Sequence, residues 1–181
     1  MTVFISGGAK NGKSTLAQDL TVALSEGGTH YYVATMISTG AEDDERIRRH
    51  IADRDGMGFE TVECFTDIMA CLKTADKEGA FLVDSVTALM QNAMFPMEKN
   101  YEMDLDAAKH CTDRLVEFAG RVRHAVFVSD YIYSDAARYS ESTEMYRKCL
   151  ADIDRRLAAV CDTVIEVSAG QFIIHKGDLC I

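Results

Sequence analysis

A glycine-rich segment near the amino terminus constrains the fold of this chain more than any other feature. Gly7 to Ser14 reads GGAKNGKS and matches the pattern G-x-x-x-x-G-K-[ST]. A short apolar stretch, Val3 to Ser6, precedes it, and Lys13 to Ser25 follows with apolar residues at helical spacing. Strand, loop and helix in this order are typical of a phosphate-binding loop. We therefore predict a nucleotide-binding α/β protein.

The residue types in this loop suit a nucleoside triphosphate better than the alternative, a glycine-rich turn without a ligand. Glycines let the backbone curl so that successive N–H groups face an anion, and the amino end of the next helix adds partial positive charge. The Lys13 ammonium would contact the β- and γ-phosphates, and the Ser14 hydroxyl would coordinate Mg²⁺. The predicted nucleotide-binding residues of the loop are Gly7, Gly8, Ala9, Lys10, Asn11, Gly12, Lys13 and Ser14.

A magnesium ion at such a loop is also held, through its water shell, by a carboxylate at the end of a buried strand. Asp84 closes the apolar run Ala80 to Val83 and fits this role best. Asp130, which follows the run Ala125 to Ser129, is the competing candidate, and a simple strand-end cap is the alternative for both. We predict Asp84 as a catalytic residue and, with Ser14, as a Mg²⁺ ligand.

A basic segment, Arg46-Ile47-Arg48-Arg49-His50, stands out in an otherwise acidic chain. Arg46 and Arg49 are predicted to bind the nucleotide, because guanidinium groups stabilise a polyphosphate and its developing charge. A neutral His50 imidazole there could attack an α-phosphate and form a phosphoramidate. The alternative from composition is a charged, solvated helix face. The remaining histidines are expected to be exposed or hydrogen-bonded: His30, His110, His124 and His175.

Composition narrows the class of protein further. The formal net charge of −10 disfavours broad nucleic-acid binding, so phosphate must be handled locally. The six cysteines are far apart and are expected to be free thiols. No apolar run approaches the roughly 20 residues of a membrane span, and a cytoplasmic location is the default expectation. At 181 residues, the chain is expected to form a single domain over 1–181.

Strands alternate with helices along the chain, which predicts a P-loop NTPase-like α/β fold. Its mostly parallel sheet would carry helices on both faces and end in an antiparallel edge hairpin. Strands are predicted at 3–6, 31–34, 59–63, 80–83, 125–129, 163–167 and 172–175. Helices are predicted at 13–25, 42–53, 68–73, 86–94, 105–123 and 145–160, with 131–142 as a polar loop.

Four segments carry a resemblance to one known family. They read FISGGAKNGKS, YYVATMISTGAEDDERIRRHIADRDGMGFETVEC, LVDSVTALMQN and LADIDRRLAAVCDTVIEVSAG. Together they resemble the bifunctional adenosylcobinamide kinase / adenosylcobinamide-phosphate guanylyltransferase of cobalamin biosynthesis, over most of the chain and most strongly in its first half.

The resemblance implies a two-part reaction and a role for one histidine. ATP or GTP would phosphorylate the aminopropanol hydroxyl of adenosylcobinamide. GTP would then guanylylate the family's histidine, which ends the pattern R-I-x-x-H and is His50 here, after Arg46 and Ile47. The GMP would pass to adenosylcobinamide phosphate and give adenosylcobinamide-GDP. The resemblance also implies a homotrimer with its nucleotide site near a subunit boundary.

Two segments depart from the family pattern. The usual Asn-Glu-Val-Gly stretch is Asp130-Tyr131-Ile132-Tyr133 here, followed by Ser134, and the usual Val-Asn-Gln is Ile153-Asp154-Arg155. These changes leave a second hypothesis open, a P-loop kinase with only one of the two activities or with another acceptor. A third hypothesis is a nucleotide-binding regulatory module, although such a module has no need of His50.

Overall fold

The computed structural model describes residues 1–133 and 135–179 and contains one seven-stranded sheet. The strands are β1 (Thr2–Gly7), β2 (His30–Ala34), β3 (Glu60–Glu63), β4 (Ala80–Asp84), β5 (His124–Asp130), β6 (Thr163–Ser168) and β7 (Gln171–Lys176). Their order in the sheet is β3-β2-β4-β5-β1-β6-β7. All neighbouring pairs are parallel except β6 and β7, which form the predicted antiparallel edge.

Five α-helices in the described residues surround or extend this sheet. They are α1 (Lys13–Leu24), α2 (Ala41–Asp53), α3 (Val86–Met94), α4 (Leu105–Arg121) and α5 (Glu141–Val160), with 3₁₀ turns at Ile68–Lys73 and Met97–Lys99. None of the helices in the described part of the chain is both long and apolar enough to cross a membrane.

Hydrophobic packing occurs on both faces of the sheet, as expected of a parallel sheet. On β1, the alternating side chains divide between the faces: Val3 and Ile5 pack with α1, whereas Phe4 packs on the face covered by α3, α4 and α5. Phe81 and Phe118 on this second face are fully buried with their rings edge to face. The two cores hold the central strands in place, so the carboxyl ends of β1, β4 and β5 lie at one edge.

Side-chain caps mark three of the helix starts. Ser85, Asp104 and Ser140 each accept a hydrogen bond from the third residue of the following helix. By contrast, α1 starts after Gly12, which has a left-handed φ of 88° and provides no side-chain cap. The first N–H groups of α1 are therefore not satisfied by a cap and remain available to an anion.

The predicted elements agree with the structure except at some boundaries. The last helix begins at Glu141 rather than at position 145, because the hydroxyl of Ser140 caps it. The polar loop is correspondingly shorter than predicted. The segment Ile68–Lys73 forms a 3₁₀ helix rather than an α-helix, and Asp67 caps it. Ser134, within the segment that departs from the family, lies outside the described residues.

The described cysteines are free, as expected. Cys64, Cys71, Cys111 and Cys161 are buried and Cys149 is half-buried, whereas Cys180 lies outside the described residues. Burial raises the pKa of Cys111 and of Cys161 to about 12. These two thiols therefore remain protonated at neutral pH and act as small apolar core residues.

One carboxyl group lies inside the core. Asp154 on α5 is only 3% exposed, and its Oδ2 accepts a hydrogen bond of 2.9 Å from the hydroxyl of Tyr133. Burial raises the pKa of Asp154 from 3.8 to about 7, despite this hydrogen bond. The folded protein therefore binds a proton at Asp154 more tightly than the unfolded chain does.

Asp154→Asn is expected to change how stability depends on pH. The contribution of Asp154 is fully present below about pH 4 and is lost as the pH rises through about 7, a total of up to roughly 4 kcal/mol. Relative to wild type, the variant should therefore gain stability between these limits. Urea unfolding of both proteins across this range measures the difference. Asp152→Asn, a neighbour on α5 whose side chain is 44% exposed, is the control, and a difference that does not vary with pH would contradict the burial argument.

Candidate active site

The loop between β1 and α1 has the backbone geometry that its sequence predicts. Lys10 and Gly12 have left-handed φ values of 60° and 88°. Gly7 is required for a different reason, since a Cβ there would lie 2.3 Å from the carbonyl oxygen of Val167 on β6. The loop therefore turns tightly above the end of the sheet, and α1 begins directly behind it.

Lys13 is held by two oxygen atoms at the base of the loop. Its Nζ donates to the carbonyl oxygen of Gly8 and to Oδ1 of Asp130, each at 2.6 Å. The lysine side chain is 6% exposed and that of Asp130 is 20% exposed. The Asp130 backbone N–H also donates to the Thr87 hydroxyl, which fixes the end of β5. A bound triphosphate must compete with Asp130 for the charge of Lys13.

Asp130→Asn is expected to tighten the binding of GTP in the absence of Mg²⁺ by about tenfold. The amide keeps the size of the side chain but removes a negative charge that both neutralises Lys13 and repels phosphate. Calorimetric titration with GTP in EDTA measures the effect. Asp113→Asn, which removes one exposed carboxylate on α4, is the matched control. Equal or weaker binding by Asp130→Asn would show that the pair does not oppose the nucleotide.

Asp84 lies at the end of β4 and contacts two functional groups. Its Oδ2 accepts a hydrogen bond of 3.1 Å from the hydroxyl of Tyr32 and lies 3.7 Å from Nδ1 of His50. Its side chain is 8% exposed. Burial, together with the charge of Asp84, raises the pKa of Tyr32. Tyr32 therefore stays protonated and keeps donating to the carboxylate.

His50 lies in the last turn of α2, a helix without buried residues. Its side chain is 24% exposed, but Nδ1 is buried and has no hydrogen-bond partner among the described residues. Arg54 anchors this end of the helix, because it donates to the carbonyl oxygen of His50 at 2.7 Å and its guanidinium lies 4.0 Å from the centre of the Tyr32 ring.

At the amino end of α2, Asp43 accepts from the backbone N–H of Thr39 and lies in the first turn, where the helix dipole favours an anion.

A cavity of about 530 Å³ brings the predicted site residues together. The predicted residues that line it are Ala9, Lys10, Asn11, Gly12, Lys13, Ser14, Arg46, Arg49, His50 and Asp84. Gly7 and Gly8 do not line it but form the turn behind it, where Gly8 holds Lys13. Both candidate carboxylates, Asp84 and Asp130, line the same cavity.

The cavity is less basic than the sequence predicts. Helix α2 presents Glu42, Glu45 and Asp53 to it alongside Arg46 and Arg49. With Asp84 and Asp130, five carboxyl groups and four basic groups line the wall. The prediction of a basic segment is therefore incomplete, because acidic residues about one turn away on α2 face the same cavity. Binding of a polyphosphate here calls for added positive charge.

The oxygen atoms in the cavity suit Mg²⁺ chemically. A hydroxyl from Ser14 and carboxylates from Asp84 and Asp130 are hard donors of the type that this ion prefers. No group of three or more His, Cys, Asp or Glu side chains within the described ranges is arranged to bind a metal.

A second cavity of about 280 Å³ adjoins the first. Four residues line both cavities: Arg46, His50, Asp84 and Ser85. The rest of the second cavity includes the apolar side chains of Met36, Ile37 and Phe65, with Glu63 and Arg54 at polar positions. His50 therefore stands in the wall between the larger cavity, which is lined mainly by polar residues, and a partly apolar one. Sequence patterns gave no signal for Tyr32, Arg54 or this second cavity.

The loop after β1, the strand order and the position of Asp84 on β4, which β5 separates from β1, define a P-loop NTPase fold. Solved structures agree with this class. The chain is similar to the ATPase of a type III secretion system of pathogenic bacteria over 92% of its own length and 51% of that chain, with 13% identity and a TM-score of 0.55. It thus spans about half the length of that ATPase.

Two further structures share the fold at similar distance. A protein of Pyrococcus horikoshii OT3 is similar over 97% of this chain and 86% of that chain, with 12% identity and a TM-score of 0.53. The ATPase domain of G40P is similar over 97% of this chain and 76% of that domain, with 11% identity and a TM-score of 0.52. At these identities the likeness concerns the fold alone.

Residues 3–174 match the model of one protein family, cobinamide kinase / cobinamide phosphate guanyltransferase (CobU). The chain belongs to this family, whose members act in cobalamin synthesis. A comparison with curated proteins finds no match. The family membership confirms the resemblance noted in the sequence.

Proposed function

We propose that this protein carries out both reactions of the family through the cavity above the P-loop. It phosphorylates adenosylcobinamide with ATP or GTP and then transfers GMP from GTP to the product by way of His50. One observation carries the proposal: Lys13, Asp84 and His50 line the same cavity, and His50 Nδ1 lies 3.7 Å from Asp84 Oδ2. A phosphate site and a nucleophile are thus within reach of one nucleotide.

The kinase step depends mainly on position and charge. The oxygen of the acceptor hydroxyl attacks the γ-phosphorus and its proton passes to solvent, while the bond from that phosphorus to the bridging β-phosphate oxygen breaks and the nucleoside diphosphate leaves. Lys13 exchanges Asp130 for the β- and γ-phosphates, while Arg46 and Arg49 add positive charge from α2. Ser14 and Asp84 would hold Mg²⁺, which offsets the charge of the phosphates when it is bound.

The guanylyl step uses His50 as a nucleophile. Asp84 beside Nδ1 favours the tautomer with the proton on Nδ1 and leaves the lone pair on Nε2. Nε2 attacks the α-phosphorus of GTP, the bond to the β-phosphate oxygen breaks, and pyrophosphate leaves. The phosphate oxygen of adenosylcobinamide phosphate then displaces His50, which yields adenosylcobinamide-GDP and the free imidazole.

The second cavity suits the nucleoside part of GTP in this reaction. It is partly apolar and shares His50 and Arg46 with the phosphate cavity. A nucleotide that spans both cavities would therefore place its α-phosphate beside His50. The Phe65 ring and the Glu63 carboxylate offer a stacking surface and an acceptor for base N–H groups.

Assembly as a homotrimer is also part of the proposal, by analogy with the family. An apolar strip on the edge strand β7 supports self-association, since Phe172, Ile173 and Ile174 are 49%, 58% and 39% exposed. Light scattering coupled to size-exclusion chromatography measures the assembly directly. A monomer at micromolar concentration would contradict this part of the proposal.

The function is tested by supplying adenosylcobinamide with ATP or GTP and separating the corrinoid products by chromatography. We expect adenosylcobinamide phosphate with ATP alone and adenosylcobinamide-GDP when GTP is present. Formation of the phosphate without the GDP product would support the single-activity kinase. No product from a chain that still binds GTP would support the regulatory module.

A further inference from the structure

A third cavity lies on the opposite face of the sheet from α1, between α5 and strands β1 and β6. Its volume is about 360 Å³, within the range of small-molecule sites. Phe4, Ala151, Ala158, Val164 and Ile165 form an apolar wall. Neither the P-loop nor His50 takes part in it, so nothing in the proposed reactions explains it.

Asp154 lines this cavity and is the most deeply buried carboxyl group beside it, at 3% exposed. Tyr133 donates to Oδ2 and the Ser129 hydroxyl also lies beside the carboxyl group, but Oδ1 is buried and has no hydrogen bond within 3.5 Å among the described residues. A buried carboxylate oxygen without a donor is destabilising unless a positive or protonated group pairs with it. The cavity therefore contains an unmet acceptor.

Two aromatic rings, a second carboxylate and the basic side chains of Arg155 and His175 also line the cavity. The rings of Tyr131 and Tyr133 lie 6.4 Å apart and are tilted by 52°. Both tyrosines line the cavity, as does Glu166, which accepts from Tyr131 at 3.3 Å and pairs with His175 at 2.8 Å. Faces of tyrosine rings attract cations, and the effect is larger where water is displaced.

We propose that this cavity binds a small organic cation, an alkylammonium group whose N–H donates to Asp154 Oδ1 and whose alkyl part packs on the apolar wall. The basic groups of the lining, Arg155 and His175, are paired with Asp152 and Glu166 respectively, so they do not neutralise the Asp154 carboxylate. Together with the tyrosine rings and the aliphatic surface, this carboxylate favours such a ligand over an anion or a neutral alcohol. The chain's formal net charge of −10 also favours the approach of a cation.

The test uses n-butylammonium chloride as the probe and no nucleotide, so that its outcome is independent of the proposed reactions. Amide shifts in ¹⁵N-labelled protein are followed at about pH 8, where most of Asp154 is ionised. We expect saturable shifts around Ala151 and Val164 with a dissociation constant in the millimolar range, and at least about tenfold weaker binding of 1-butanol.

Two variants locate the interaction. Asp154→Asn should weaken butylammonium binding by about tenfold or more, whereas Glu141→Gln, an exposed carboxylate at the amino end of the same helix and outside the cavity, should leave it unchanged. Tyr133→Phe keeps the ring and removes the donor to Oδ2, so it should retain binding. Thermal unfolding confirms that each variant is folded. The proposal is overturned if butylammonium gives no saturable shifts, if 1-butanol binds equally well, or if Asp154→Asn binds like wild type.

Discussion

Lys13→Ala is expected to weaken the binding of GTP and ATP by about a hundredfold or more and to abolish turnover. Two effects add up in this variant. The substitution removes the buried ammonium group of the loop, and it leaves the Asp130 carboxylate without its partner at 2.6 Å, where it repels phosphate. Calorimetric titration with Mg²⁺ and each nucleotide measures the loss.

A control and a double variant separate these two effects. Lys10→Ala removes another lysine of the same cavity that does not pair with Asp130, and it should have a much smaller effect. Lys13→Ala combined with Asp130→Asn should recover part of the lost affinity, because the unpaired charge is gone. Normal GTP binding and turnover by Lys13→Ala would refute the assignment of the loop.

His50→Ala is expected to abolish guanylyl transfer while kinase turnover stays within about threefold of wild type. The reason is that only the second reaction needs the imidazole as a nucleophile, whereas the γ-phosphate is handled by Lys13 and Ser14. Chromatography of the corrinoid products with ATP alone and with GTP reports the two reactions separately.

His110→Ala serves as the histidine control for this experiment, since His110 is exposed on α4 and outside the cavities described above. It should leave both reactions unchanged. Equal loss of both activities in His50→Ala would count against a dedicated nucleophile and would point to a general role of α2 in positioning the nucleotide.

Much of the fold follows from local sequence patterns. The apolar runs that form β1, β4 and β5 are short, are bounded by Gly or Asp, and alternate with helical spacing, so their type was predictable. The charge-rich segment 42–53 indicates a largely exposed helix, and the structure leaves all residues of α2 unburied. Boundaries differed where a capping side chain such as Ser140 fixed the start of a helix.

The order of the strands could not be read from the sequence, and this order decides the contacts of Lys13. Because β5 is adjacent to β1, Asp130 lies in register with Gly7 and reaches the lysine. Asp84 instead ends β4, which is paired with β2 in a register that aligns it with Ala34. Both Asp84 and Asp130 can be identified as candidates from the sequence. Their different surroundings, however, depend on which strands pair in the sheet.

The two segments that depart from the family pattern also prove to be connected. Tyr133 and Asp154 are 21 positions apart, yet they are hydrogen-bonded beside the third cavity. Arg147 of α5 supports the same segment by donating to the carbonyl oxygen of Ile132 at 3.1 Å. A pattern read along the chain detects each change alone, whereas their joint effect depends on how α5 packs on the sheet.

The most direct test of a covalent reaction at His50 is incubation of the purified protein with [α-³²P]GTP and Mg²⁺ in the absence of corrinoid. We expect label to remain on the denatured chain through an acid-labile, base-stable bond, to be missing in His50→Ala, and not to appear with [γ-³²P]GTP. A wild-type protein that binds GTP but retains no label would contradict guanylyl transfer through His50.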